Sequence, residues 1–397
     1  MDLVNATRPV WMLCIGLSGF LYAYVVFPVL ASLLGLAKRT DASSGAQAGP
    51  TEAVTVIIPA YNEEKSIEAK LRNVLATNYP RSLLDILVVS DASTDRTEDI
   101  VRAYEAEGVR LVVQERRHGK SAGLNRAIDL ARGGLLVFTD ANAIYSPAVV
   151  GTLVKYFDDP TIGLVTGSTK YALTEGGEVA EVTNIYTALE RLIKRAESRW
   201  GCCVGADGAI FAMRRSLYRT LRDDDINDFV LPLGVIDQGY RCVFAEDACC
   251  SEHPGKSLES EFHRQSRITN RTLRALWRHA HLLNPFRFPL FSFFLFSHKI
   301  ARFLVPVLLL VSAASLLSLA AAGGVSFVAC LGAALIAITV AASNGGRSPH
   351  LASRPAVSRL IRLLSAFVTI NIAVLHGWWK FLSGHGDVTW QHDRSRA

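Results

Sequence analysis

Val54-Thr-Val-Ile-Ile-Pro-Ala-Tyr-Asn-Glu63 is a β-branched apolar run that breaks abruptly into polar residues. The same shape recurs downstream. Ile86 to Ser90 opens onto Asp91-Ala-Ser-Thr-Asp95, and Leu135-Leu-Val-Phe-Thr139 opens onto Asp140-Ala-Asn142. A short, fully apolar run closed by acids reads as a buried strand that delivers side chains to the carboxyl edge of an open α/β sheet, where such sheets bind ligands.

Working outward, strand and helix signals alternate. Strands are expected at 54–59, 86–90, 110–114 and 135–139. Helices are expected at 64–77, where Ile67, Leu71, Val74 and Leu75 share a face, and at 94–107 and 120–132. Strands separated by helices of this length predict right-handed βαβ units and a mostly parallel, Rossmann-like sheet, so the fold class is α/β. Beyond 146 the pattern loosens into helices at 181–198 and 228–238 and strands at 209–214 and 240–245.

Both ends of the 397-residue chain are more apolar than its middle, and the mean hydropathy is +0.24. Trp11 to Leu36 carries no charge and exceeds the ~20 residues a bilayer core requires. A cleaved signal peptide has a shorter core and a basic start; here the chain starts Met-Asp and Lys38-Arg39 follow the run, so an anchor is expected. Phe303–Ala322, Val325–Ala342 and Leu363–Trp379 are further apolar runs. The arginines between the last two (347, 354, 359 and 362) place that loop, and with it the central region, on the cytoplasmic side of a bacterial inner or plasma membrane. The expected organisation is an anchor at 1–36, a small polar linker at 37–53, a catalytic domain at 54–275, an interfacial amphipathic segment at 276–298, transmembrane helices at 299–383 and a polar tail at 384–397.

The net charge of +6 follows from basic residues flanking apolar runs, where anionic lipid attracts them, and no aromatic-basic nucleic-acid motif is present. Nucleic acid is therefore not an expected partner; membrane lipid is. The seven cysteines lack the spaced pairs of a zinc site and read as small buried hydrophobes.

Several segments carry chemistry. Asn62 closes the first strand and can cap the next helix, whose N-terminus suits negative charge. Asp91 is placed to accept hydrogen bonds from a base or ribose, with plain helix capping as the alternative for it and, more so, for Asp95. Arg117-His-Gly-Lys120 puts an ammonium on a Gly-bounded turn suited to a diphosphate, without the spacing of a Walker A loop. Asp140 and Asn142, two oxygen donors at i and i+2, suit Mg2+ or Mn2+. Asp225 and Asp228 belong to an Asp-rich loop, but Asp228 alone meets the apolar start of a helix, where partial desolvation favours a general base.

In this order the segments resemble the inverting family 2 glycosyltransferases of the processive type, which include cellulose, chitin, hyaluronan and poly-N-acetylglucosamine synthases and bacterial exopolysaccharide transferases. The resemblance covers about 54–300 and implies a GT-A nucleotide-sugar-binding domain between membrane helices. It implies that Pro59, Ala60, Tyr61, Glu63 and Asp91 hold the nucleoside, uridine in a UDP-sugar, and that Lys120 and Asp140 serve the diphosphate. It also implies that Asp140 binds metal with Asn142, where the family usually has Asp. Asp228 matches the general base, with Asn227 replacing the acid before it. Asp207 and Gly208 fall in the loop near the transferred sugar and acceptor. The family's Gln-x-x-Arg-Trp motif is matched only by Arg264-Gln-Ser-Arg267-Ile, which has Arg267 but no Trp; Arg264 and Arg267 are expected to steady the leaving diphosphate. The expected reaction transfers sugar to a hydroxyl of a glycan or lipid-linked glycan, with polysaccharide export or synthase components as further partners. Single addition to polyprenyl phosphate and a non-catalytic nucleotide-binding subunit are the alternatives.

Overall fold

The computed structural model describes residues 2–38, 52–171, 178–252, 258–321 and 355–386. Its centre is one eight-stranded sheet in the order β3-β2-β1-β4-β7-β6-β8-β5. β1 (Val54–Ala60) runs parallel to β2 (Leu84–Ser90) and β4 (Leu135–Thr139), and β2 parallel to β3 (Val109–Val113). All seven residues of β1 are buried, as a strand covered on both faces requires. α3 (Ile67–Leu75), α4 (Thr97–Arg102) and α5 (Lys120–Leu130) make the connections. The helix expected over 94–107 is shorter, because a 3-10 turn at Glu105–Glu107 ends on left-handed Gly108 (φ 83°).

Past β4 the sheet becomes mixed. β7 (Ile210–Arg214) is antiparallel to β4 and to β6 (Ile162–Tyr171). β6 pairs in parallel with β8 (Arg241–Glu252), and β5 (Ile144–Tyr145) pairs antiparallel with β8 at the edge. Neither β5, β6 nor the short helix α6 (Val149–Val154) follows from the sequence pattern. In β6 the reason is Gly163 and Gly167, which interrupt the apolar run and coincide with its two register shifts against β8. A Cβ on Gly167 would stand 2.4 Å from the Ala248 carbonyl oxygen, so only glycine lets the strands meet there.

The sheet separates two cores. Val56, Ile58, Val88 and Val137 pack against α3, α4 and α6. On the other face Ile57, Leu136, Phe138 and Phe211 form a cluster, with the last two rings stacked at 4.7 Å across β4 and β7. This second core does not stop at the sheet and its covering helices. It continues into Phe27 and Ala31 of an N-terminal helix and Phe291, Phe294 and Leu295 of a C-terminal one.

Those helices belong to two long apolar segments. α1 (Asp2–Leu21), a π turn (Tyr22–Val26) and α2 (Phe27–Ala37) run on from one another. So do α10 (Pro289–Leu295), a second π turn (Phe296–Ile300) and α11 (Ala301–Ala321). Thr7–Ala37 and Pro289–Leu319, 31 residues each, are long and apolar enough to cross a membrane. α1 meets α11 at Gly16 and Gly19, where added Cβ atoms would collide with Ser312 and Leu308. α2 meets α7 (Glu178–Arg199) at Gly35, and α9 (Leu258–Arg278) meets α12 (Pro355–Leu382) at Gly377. The stretch expected as one interfacial segment, 276–298, is divided into the end of α9, a 3-10 turn at Ala280–Leu283 and α10, with Pro285 and Pro289 at the breaks. α8 (Asn227–Asp237) completes the helices used below. The expectations for linker residues 39–51, the apolar run Val325–Ala342, the arginine-bearing loop through 354 and the tail from 387 lie outside the described residues.

Candidate active site

The carboxyl ends of β1 and β2 are laced together. Asn62 (φ 53°) and Ala92 (φ 56°) adopt left-handed turns just beyond the strands, a conformation that concentrates at functional sites because something must hold it. What holds it here is a set of cross-turn hydrogen bonds. Thr94 N–H donates to Asn62 Oδ1 at 2.8 Å, Glu63 N–H to Thr97 Oγ1 at 2.8 Å, and Glu64 N–H to Asp95 Oδ2 at 3.1 Å. The buried Glu63 carboxylate accepts the Ser66 hydroxyl at the start of α3. Asp95 is thus a turn-forming residue, and Glu63 serves its own helix.

Beyond these turns lies a cleft lined by Pro59, Ala60, Tyr61, Asp91, Gln114 and Lys120. Asp91 is buried, and its Oδ1 accepts Gln114 Nε2 at 2.9 Å, His118 N–H at 2.8 Å and Gly119 N–H at 3.0 Å. It therefore pins the 114–119 turn onto the sheet edge. Gly119 has φ 90° there, which glycine alone tolerates easily. Arg117 lays its guanidinium 3.8 Å from the Tyr61 ring centroid, a cation–π wall over the cleft.

Lys120 Nζ meets Asp140 Oδ1 at 2.7 Å, both half-buried, so the ammonium expected for a diphosphate and the carboxylate expected for a metal face one another. Asn142 is half-buried two residues on. A carboxylate and an amide oxygen are hard donors at the sheet edge, and the chemistry of the set fits a divalent Mg2+ or Mn2+. Beneath this turn is a residue the sequence reading missed. Lys70 of α3 is fully buried and donates to Thr139 Oγ1 at 2.7 Å and the Ala143 carbonyl at 2.5 Å, clamping both ends of the turn, with Nζ 4.0 Å from the Tyr145 ring centroid. Burial pushes its pKa down to about 7. In sequence it lies on the helical face of Ile67, Leu71 and Val74, and a cation on that face is the signal that could have revealed it.

Asp228 lies in the first turn of α8. Its Oδ1 is buried without a hydrogen-bond partner, and Gly208 is packed so closely that a Cβ would stand 2.9 Å from Oδ2. Burial, with Asp140 and Asp207 nearby, pushes this carboxyl up, against the opposing pull of Lys120 and Lys299. A desolvated carboxylate with a raised pKa is suited to proton abstraction. Asp207 is spent on structure, accepting Thr169 N–H at 2.8 Å and the Thr169 hydroxyl at 2.6 Å. Asp225 is buried against Arg278. Arg271 donates to the carbonyls of Asp223, Asp224 and Asp225, so this Asp-rich loop is anchored to α9. Arg264, by contrast, is exposed and forks onto Glu261 of its own helix, while Arg267 is half-buried further along it. The arginines that touch the loop before Asp228 are thus Arg271 and Arg278, one and three helical turns beyond the motif the eye aligns.

This cleft and sheet have close counterparts. Residues 55–222 match the family described as "Glycosyl transferase family 2". The chain carries a family 2 glycosyltransferase domain. It is 28% identical over 139 residues to glycosyltransferase AglE of Haloferax volcanii, covering 34% of this chain and 46% of AglE. With the poly-beta-1,6-N-acetyl-D-glucosamine synthase of Staphylococcus aureus it is 25% identical over 249 residues, 61% of this chain and 58% of the synthase. The chain thus spans about half the length of the curated relatives it matches. Among solved structures, the mannosyltransferase PcManGT of Pyrobaculum calidifontis, in complex with GDP-Man and Mn2+, is similar at TM-score 0.69 and 25% identity. The match covers 94% of this chain and 99% of that one. It extends beyond the family 2 domain into the apolar helices at both ends, and the fold is of the GT-A type.

Proposed function

We propose that this protein is a membrane-bound inverting glycosyltransferase that moves a sugar from a nucleoside diphosphate donor to a hydroxyl of a glycan or lipid-linked glycan, as in the building of a surface polysaccharide. The observation that carries this reading is the unpartnered, buried Asp228 carboxylate oxygen beside the Lys120–Asp140 pair. An acceptor hydroxyl placed against it gives up its proton to Asp228 as its oxygen attacks the anomeric carbon from the face opposite the nucleotide. The carbon–diphosphate bond breaks in the same step, so an α-linked donor gives a β-linked product without a covalent enzyme intermediate.

The remaining roles follow the cleft. Pro59, Ala60 and Tyr61 form the wall for the nucleoside, and Asp91 and Glu63 act by shaping the turns around it. Lys120 supplies positive charge to the departing diphosphate. Asp140 and Asn142 are the residues to hold a divalent cation, which when bound neutralises pyrophosphate charge. The GDP-Man and Mn2+ named for PcManGT favour a nucleotide-sugar donor and a divalent metal. The family resemblance favours a UDP-sugar, and the two long apolar helices favour membrane attachment, with the catalytic domain on the cytoplasmic side where nucleotide sugars are made.

The test is nucleotide release by the detergent-purified full chain across UDP- and GDP-sugars with Mg2+ or Mn2+. A UDP-sugar is expected to turn over, and EDTA to abolish it reversibly. Asp140→Ala and Asp228→Asn are each expected to lower kcat by about 100-fold or more, the usual scale of a lost base or charge stabiliser. Full activity in both variants overturns the reading.

A further inference from the structure

Where the second apolar segment meets α7, it buries a polar cluster that a membrane span does not need. His298 is buried with Nδ1 2.6 Å from Glu197 Oε1 and Nε2 3.1 Å from Glu190, and Arg302 also pairs with Glu190. Both carboxylates belong to α7. The 31 residues of Pro289–Leu319 extend about 46 Å at 1.5 Å per residue, against ~30 Å of bilayer core, so there is length to keep these first turns out of lipid.

The fully buried Glu197 also faces the other way. Its Oε2 accepts Val204 N–H at 3.2 Å, at the start of a loop that closes over Asp228. Ala206 N–H donates to the Asp228 carbonyl at 2.7 Å, and Gly208 packs so near that a Cβ would stand 2.9 Å from Asp228 Oδ2. The Ala206 contact has a cause in α8. A helical carbonyl is normally taken by the N–H four residues on, and for Asp228 that residue is Pro232, which has none. The loop supplies the hydrogen bond that α8 cannot. Its far end is fixed separately: Asp207 N–H donates to Thr166 Oγ1 at 2.7 Å, and the Asp207 carboxylate accepts Thr169 N–H at 2.8 Å.

We infer that Glu197 is a positioning residue of the transfer reaction: anchored on one oxygen by His298 of the second apolar segment, it holds the 204–208 loop with the other, and that loop sets the backbone and carboxylate of Asp228. The inference rests on Asp228 being the base. Glu197 acts through Val204, Ala206 and Gly208 and does not itself meet the reacting atoms. A buried carboxylate is costly unless its oxygens are paired, and here each oxygen is spent on a different element. Neither partner can shift without loosening the other. A small displacement of the loop is passed to Asp228 through the Ala206 hydrogen bond and the Gly208 contact, and the rate depends on how well the base is aligned.

The test follows the loop directly. Hydrogen–deuterium exchange of the full chain in detergent reads the 203–208 amides without turnover. Glu197→Leu removes the acceptor and is expected to speed that exchange about 10-fold, the scale of one buried hydrogen bond lost. It is expected to lower kcat about 10-fold and to leave the donor KM within about two-fold, since the cleft at Tyr61 and Asp91 is untouched. Glu197→Gln keeps an oxygen for Val204 N–H and an amide N–H for His298, and is expected to restore both readings. Wild-type exchange over 203–208 in Glu197→Leu overturns the inference, as does an unchanged kcat beside faster exchange, or an equal loss in Glu197→Gln. Should Glu197→Leu not fold, His298 divides the question. Asparagine there presents an amide near the place of Nδ1, toward Glu197, and glutamine near that of Nε2, toward Glu190. Slower transfer and faster loop exchange in His298→Gln than in His298→Asn support the inference, and equal values overturn it. Wild-type protein that releases no nucleotide from any sugar donor overturns the function instead, and the exchange comparison alone then decides whether Glu197 holds the loop.

Discussion

At the scale of single residues the site is tuned by what has been taken away from water. Gly208→Ala would drive a methyl to 2.9 Å from Asp228 Oδ2, inside contact distance of the carboxylate whose other oxygen, Oδ1, is buried without a hydrogen-bond partner. The carboxylate must swing aside, so kcat is expected to fall about 10-fold or more, as misplaced reacting groups do, with thermal stability nearly unchanged; steady-state kinetics beside a melting curve checks it. Lys70 gives the opposite kind of prediction. Its folded pKa, about 7, is below that of an unfolded lysine, so between those values the unfolded chain binds the extra proton. Stability is therefore expected to rise with pH from about 7 toward 10, by up to about 1.4 kcal/mol per pH unit from this group. Lys70→Met should remove that slope in denaturant titrations, while weakening metal-dependent activity because the clamp on Thr139 and Ala143 is lost. Asp91, Lys120, Asp140 and Asp228 were legible because acids and a lysine at strand ends or helix starts have few structural reasons to be there. Lys70 was not: an isolated lysine in an amphipathic helix reads as solvent-facing, and only the packing of the sheet above it reveals a buried ammonium.

At the scale of elements legibility weakens past β4 without ending there. Up to it, each strand is a local apolar run and each connection a local helix, so periodicity alone orders the half-sheet. Beyond it, β7 and the first half of β8 still show as local runs, but β6 is defined by pairing with strands far off in the chain and by bulges at Gly163 and Gly167, which erase the period-two signal. The same holds for the arginines of α9. A motif comparison points to Arg264 and Arg267 for the diphosphate, whereas nothing local marks Arg271, which grips the loop before Asp228 through three backbone carbonyls, or Arg278, which does so through Asp224 and Asp225. The packing of α9 against the 223–225 loop, invisible in one dimension, decides which arginine reaches. Because Arg271 satisfies buried carbonyls with a fixed fork that lysine lacks, Arg271→Lys is expected to cost stability and activity together. Arg264→Ala, which loses an exposed pair with Glu261, should change the thermal transition by less than about 1 kcal/mol equivalent.

At the scale of the whole molecule, the catalytic domain and the apolar helices share one core. Phe27 and Ala31 of α2 and Phe291, Phe294 and Leu295 of the second apolar segment are buried in the cluster that holds Phe138 and Phe211 under the sheet. Arg199 donates to the Gly35 carbonyl at 2.6 Å and Trp200 to the Leu34 carbonyl at 3.1 Å, closing the seam with polar contacts. Full burial of one such aromatic or aliphatic side chain contributes about 1.5–3 kcal/mol. Phe27, Phe291, Phe294 and Leu295 together therefore approach the 5–15 kcal/mol by which a domain is typically stable. A soluble fragment made by cutting at the expected boundaries, 54–275, would lose all four and expose the apolar floor of its own sheet. It is expected to aggregate or to melt well below the full chain, measured by size-exclusion chromatography and thermal unfolding in the same detergent. Supplying residues 1–38 as a separate segment should recover part of the transition. A monomeric 54–275 fragment with an unchanged transition would mean that the helices are an attachment and no more; recovery that is complete only with both apolar segments present would make them part of one folding unit with the sheet.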